Sequence, residues 1–203
     1  MLDDGKSDAQ QDGRRNDTRA RLLEEALQLL VSRGYEHATT GRIAAAAGIG
    51  QSSFYSHFAS REACLAEAVA QEANALIVRL AARRRAIGPR ASRTLVTREA
   101  VRAGFVLALH HLSQHAALVA LIGMREADHA AGAAVREALE RLRDELVGDL
   151  SRFGVTAPAD APMRIELLMA LTFQAADGIR AARYTAAAVV EVLTDQAIAL
   201  LQP

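Results

Sequence analysis

Gln51, Ser52, Ser53 and Tyr55 are the side chains whose types and spacing best fit a recognition chemistry. They interleave with Phe54 and Phe58, an aromatic pair four residues apart that marks the buried side of a short helix, so the polar group falls on the opposite face. A Gln carboxamide can pair with the major-groove edge of adenine, a Ser hydroxyl can touch bases or phosphates, and a Tyr hydroxyl suits a phosphate oxygen. Upstream, Thr39 and Thr40 stand where a preceding helix should begin. Their hydroxyls can cap it, and the free backbone N–H groups there favour a phosphate. Gly48 and Gly50 bracket the turn between the two helices, with Ile43, Ala47 and Ile49 spaced to face inward beside the aromatic pair.

Other chemistries find less support. His111 and His115 are four residues apart, with His110 and His129 near in sequence, which is a spacing a metal could use. No HEXXH-like pattern accompanies them, so no metal is expected. Cys64 is the only cysteine, which excludes an intramolecular disulfide and a cysteine-based metal cluster. Its place beside Leu65 suits a small core residue. The Gly48-Ile49-Gly50 run follows a helix instead of a strand and lacks the third glycine of a dinucleotide-binding turn. With no P-loop, nucleophile elbow or catalytic carboxylate pair, neither an enzyme nor a cofactor is expected.

These side chains need elements to hold them. The chain has 203 residues, 51% apolar, with 13 Gly and only 4 Pro, a composition that predicts an almost all-helical protein. Arg plus Lys balances Asp plus Glu at 24 each, so affinity for nucleic acid would have to come from local charge. Lys6 is the only lysine. The polar N-terminus and the lack of any run of about 18 apolar residues predict a cytoplasmic protein without a membrane partner.

Residues 1–16 show no apolar period and read as a disordered arm. Asp17 or Thr18 then starts a helix with a stripe of Leu22, Leu23, Ala26, Leu27 and Leu30, ended by Gly34. After the connector Tyr35–Ala38, short helices are expected over Thr39–Ala47 and Gln51–His57, and a longer one from Ser60 to about Arg85. Residues 17–62 would be the reading domain, 63–85 a connecting helix, and 86–203 a second domain that begins at the break around Gly88, Pro89 and Ser92. Helices are expected there over 93–113 and 114–124, then along Val135, Leu139, Leu142, Leu146, Leu150 and Phe153 to a stop at Gly154. Two more follow, Met163–Tyr184 and Thr185–Leu201. The basic run Arg79, Arg83, Arg84, Arg85, Arg90, Arg93, Arg98 and Arg102 lies too far along to join the reading unit, with Arg85 about 35 Å from Arg61 on one helix. It fits a solvated face or acidic neighbours. Arg14 and Arg15 are better placed to reach a minor groove.

From Thr39 to Phe58 and on into Arg61-Glu62, the threonine-led helix, the alanine and glycine turn, the Phe-Tyr pair and the His-Phe pair resemble the TetR family of transcriptional regulators. The likeness covers about residues 18–68. It implies an all-α fold: an N-terminal three-helix helix-turn-helix domain that binds DNA, plus a larger C-terminal helical domain that binds a ligand and dimerises. Carried over by position, Thr40, Gln51, Ser52, Tyr55, His57 and Arg61 fall where that family touches DNA, with Thr39, Gly50 and Ser53 beside them. Many members begin the reading helix with lysine and glycine where this chain has Gln51 and Ser52, which predicts a shallower salt dependence.

The implied partners are a near-palindromic double-stranded operator, a small-molecule effector that releases a repressor from it, and a second copy bound through the last two helices. Effector candidates that mix apolar walls with polar groups are Phe105, Leu109, His110, Met124, Arg125, Phe173, Gln174 and Asp177. Two other readings fit the same residues: a DNA-binding regulator without a ligand, and a ligand-binding bundle whose helix-turn-helix is vestigial.

Overall fold

The structure is a computed structural model that describes residues 4–87, 98–114, 116–152 and 156–201. The described residues form α1 (Asp4–Arg33), a 3-10 turn (Tyr35–His37), α2 (Thr40–Ala46), α3 (Gln51–Phe54), α4 (Arg61–Ile87), α5 (Arg98–Gln114), α6 (Ala116–Gly123), α7 (Ala130–Arg152), α8 (Ala161–Arg180) and α9 (Ala186–Leu201), with no strand among them. The all-helical expectation holds. The break predicted at Gly88–Ser92 and the stop at Gly154 lie outside the described residues.

Helix α1 starts at Asp4, so the arm expected over residues 1–16 is helical from that point. Polar residues without an apolar period give no packing signal, but nothing here forbids a helix: the stretch has no Pro, and acidic residues near its start complement the helix dipole. Thr18 is therefore not a cap. Its hydroxyl donates back to the Arg14 carbonyl at 2.9 Å, a bond made within a continuous helix.

The chain divides into two compact units. The first comprises residues 1–72 and 124–135, the second 73–123 and 136–203. The boundary expected near residue 86 is thus placed differently: α4 continues across residue 72 without interruption, and the segment leading into α7 groups with the N-terminal unit. A helix can run through two cores, and apolar periodicity along it does not report where one ends.

In the first unit Leu22, Leu23, Ala26 and Leu30 of α1 are buried with Ile43, Ala44 and Ala47 of α2 and with Cys64, Leu65, Ala68 and Val69 of α4. Gly34 closes α1 with a left-handed φ of 83°, its N–H donating to the Leu30 carbonyl at 3.0 Å. In the second unit α5 packs on α8 and α9 through Leu109, Leu112, Ala176, Val190 and Leu193. A neighbouring cluster joins Ile165, Leu168, Met169 and Ala197 to the apolar side of α7. Helix α8 ends at Arg180 and not at Tyr184. The Tyr184 ring turns back onto Gly178, where a Cβ would have no room.

The basic run has acidic neighbours where it is described. Arg98 pairs with Glu191 at 2.9 Å and with Asp195, Arg102 with Glu191 at 2.6 Å, and Arg85 with Glu145 at 3.7 Å. These arginines hold α5 to α9 and α4 to α7. They are half exposed, so each pair contributes little to stability.

Candidate nucleic-acid interface

Helix α2 begins where its cap sits: the Thr39 hydroxyl accepts the Arg42 backbone N–H at 3.4 Å. The turn after it needs Gly48, whose φ is 71°, and Arg21 of α1 secures that turn by donating to the Ala47 carbonyl at 2.6 Å. Helix α3 is only four residues long, shorter than the Gln51–His57 helix expected. Beyond Phe54 the backbone tightens into turns, with the His57 N–H bonded to the Phe54 carbonyl at 2.9 Å. An element this short has no stability of its own. Burial supplies it: Phe54 and Phe58 are sealed in the core, their ring centroids 5.7 Å apart.

Burying those rings turns Gln51, Ser52, Ser53 and Tyr55 outward, all exposed, with Gly50 exposed at the entry. Tyr55 makes an edge-on contact with Phe54 at 5.6 Å and leaves over half its surface in solvent. Gln51 lies over Gly41 of α2, where a Cβ would stand 3.5 Å from its Oε1. The start of α3 is thereby beside the start of α2, and Thr39, half-buried Thr40 and exposed Arg42 adjoin the polar face. Arg42, together with exposed Ser56, was not singled out by the motif; a basic side chain in the first turn of α2 was the available signal.

His57 and Arg61 are placed differently from the others. His57 is half-buried, its Nδ1 sealed from solvent without a hydrogen-bond partner. Burial, aided by Arg15 and Arg19, pushes its pKa below the usual histidine value. Arg15 donates to the Ser56 carbonyl at 3.1 Å, and Arg19 stands 4.6 Å over the Phe58 ring while forming a two-point pair with Glu67. The Arg61 guanidinium covers the Tyr35 ring at 4.5 Å and pairs with Glu62 at 3.0 Å.

Of the effector candidates, Leu109, Phe105 and Phe173 share one apolar cluster. Leu109 is core, Phe105 and Phe173 are half-buried against it, and His110 and Gln174 are exposed. Asp177 faces Arg183 at 3.3 Å and Arg180 at 3.9 Å. Met124 and Arg125 belong to the first unit. A cleft of about 430 Å³ in the second unit is lined instead by Asn74, Ile77, Val78, Ala81, Arg85, Arg141, Asp144 and Glu145. His115 lies outside the described residues, and among those described no three His, Cys, Asp or Glu are arranged to hold a metal. Cys64 is buried, and desolvation pushes its thiol pKa up to about 12.

Residues 22–68 match the family model described as bacterial regulatory proteins, tetR family. Residues 22–68 are thus similar to the tetR-family domain. The HTH-type transcriptional regulator TcmR of Streptomyces glaucescens is 47% identical over 45 residues, a match that spans 22% of this chain and 20% of TcmR. Beyond the tetR-family domain the likeness is one of fold. A TetR-like transcriptional regulator from Rhodococcus sp. RHA1 superposes with a TM-score of 0.64 at 20% identity, covering 89% of this chain and 93% of that one. The transcriptional regulator FadR of Bacillus subtilis, solved with stearoyl-CoA, gives 0.63 at 13% identity, covering 90% and 97%.

Proposed function

We propose that the chain is a homodimeric, sequence-specific DNA-binding transcriptional regulator, a repressor released from its operator by a small molecule. The observation that carries this reading is the exposed Gln51, Ser52, Ser53 and Tyr55 face, fixed by buried Phe54 and Phe58 inside the tetR-family domain. Gln51 supplies base readout, Tyr55 and Ser52 reach phosphates, and Thr39 and Thr40 anchor the backbone at the start of α2.

Dimerisation is supported by α8. Met163, Leu167 and Leu171 are exposed at intervals of four residues, with Val192 of α9 also exposed. An apolar stripe of this length on a soluble helix calls for a cover, and a second copy related by a two-fold axis provides one that matches a palindromic site. For the effector, the fold shared with FadR, which was solved with stearoyl-CoA, favours an amphipathic molecule. The cleft lined by Ile77, Val78 and Ala81 with Arg85, Arg141, Asp144 and Glu145 offers an apolar wall and a rim of mixed charge within the size range of small-molecule pockets.

Selection from random duplexes tests the reading directly. The full chain should enrich a near-palindrome, and Gln51→Ala should relax preference at one position per half-site by about 1–3 kcal/mol without altering the melting temperature. Failure to enrich any sequence would leave the vestigial reading in its place.

A further inference from the structure

We propose that Arg61, Tyr35 and His129 form a clamp that positions the reading unit, in which Arg61 is a positioning residue and not a phosphate ligand. The proposal rests on the DNA-binding reading above, for which Arg61 would otherwise count as a backbone contact. Tyr35 occupies the 3-10 turn between α1 and α2, just ahead of the Thr39 cap. The His129 ring stacks on it with centroids 3.8 Å apart and planes 2° from parallel, and the Arg61 guanidinium stands 4.5 Å from the same centroid. Two groups that close cannot share a face, so the phenol ring is held on both sides.

Each outer member is itself fixed. His129 Nδ1 accepts the Gly132 N–H at 3.0 Å, which defines that nitrogen as an acceptor and orients the ring. Gly132 is wound against the Ala127 and Met124 carbonyls so closely that a Cβ would not fit, and the Ala127 N–H closes the same turn on the Met124 carbonyl at 2.9 Å. Arg61 donates to the Tyr35 carbonyl at 3.5 Å and pairs with Glu62, so its fork is engaged within the protein. A guanidinium stacked and paired in this way is poorly disposed to turn outward to a phosphate.

The clamp accounts for residues 124–135 grouping with the N-terminal unit although they follow α6 in the chain. Helix α7 then continues beyond residue 135 into the second unit. Helix α7 is thus covalently continuous with the segment whose His129 stacks on the turn ahead of α2. A shift of α7 that moved His129 would release one face of Tyr35 and loosen the α1–α2 connection.

The test uses the full chain and the variants Arg61→Gln, Tyr35→Leu, His129→Leu and Tyr35→Phe, with the Arg61→Gln/His129→Leu double. Two quantities are read: amide exchange across residues 35–58 without DNA, and affinity for a duplex selected by the parent as a function of salt. Arg61→Gln, Tyr35→Leu and His129→Leu should each speed exchange and weaken binding about tenfold, the double no more than the worse single, with the salt slope unchanged and Tyr35→Phe behaving as the parent. A slope reduced by about one unit in Arg61→Gln would make it a phosphate ligand and overturn the proposal. So would unchanged exchange in His129→Leu. If the parent selects no duplex while His129→Leu still loosens residues 35–58, the DNA reading fails and the clamp stands; a selective parent with unaffected variants gives the reverse.

Discussion

The reading unit seals Phe54 and Phe58, whereas α8 of the second unit leaves Met163, Leu167 and Leu171 in solvent. Phe54 is 0% exposed and Phe58 4%, yet Met163 is 55% exposed and Leu167 51%. A unit that buries what it needs fixes its own surface, so α3 presents the same polar face whether or not another chain is present. A unit that exposes a row of Met and Leu is finished by something else. On the proposed function, recognition is built into the monomer and pairing is left to its C-terminal helices, a division that allows one to change without rebuilding the other.

The strongest way to break that contrast is at Phe54. Removing a fully buried ring should cost about 3–5 kcal/mol, because a cavity opens and Phe54 is the buried residue of α3. Phe54→Ala should lose duplex binding and show an early denaturant transition, while α5, α8 and α9, whose cores do not include Phe54, keep their helical signal to a second midpoint. A single transition shifted as a whole would mean that the two units unfold together.

The converse substitution lies at Leu167. Leu167→Glu places a charge in the centre of the α8 stripe, costs the isolated chain almost nothing because the position is half exposed already, and should raise the dimer dissociation constant about 30-fold, or about 2 kcal/mol. Sedimentation against concentration reads it. The melting temperature of the monomer should not fall, and an unchanged association state would show that α8 is not the covered face.

Local signals explain what was legible in the sequence. Phe54 and Phe58, four apart with polar residues between them, state both the buried and the exposed side of one short segment, and the Thr39 cap and Gly48 turn state the limits of the helix before it. The extent of α1 was not legible because polar residues 4–16 carry no packing period and include Gly5 and Gly13, which weaken a helix. Arg61 falls among the DNA-touching positions by resemblance because the sequence shows its charge and not its company: Tyr35, itself stacked on His129, reaches it only through the fold. The effector candidates carry a related ambiguity. A mixture of apolar and polar residues on α5 and α8 describes any half-buried helix, and only packing decides that Leu109 is core while His110 faces solvent.

The smallest expected effect bears on the same contrast. His57 is the histidine in the reading unit whose folded pKa is lowered, chiefly by burial and then by Arg15 and Arg19, with Glu67 engaged by Arg19. Because the folded value lies below the ordinary one, the unfolded chain takes up the proton first. Stability from this group is therefore complete above about pH 6.5 and declines as pH falls through that value toward the lower folded pKa. His57→Gln removes the titration while keeping a polar side chain of similar reach. The parent should lose denaturant resistance between about pH 7.5 and pH 5.5 relative to His57→Gln, and the difference should appear in the first transition of a two-step melt and not in the second. Equal losses in parent and variant would assign the acid sensitivity to groups other than His57, and leave its buried Nδ1 as a packing feature of the turn that ends the reading helix.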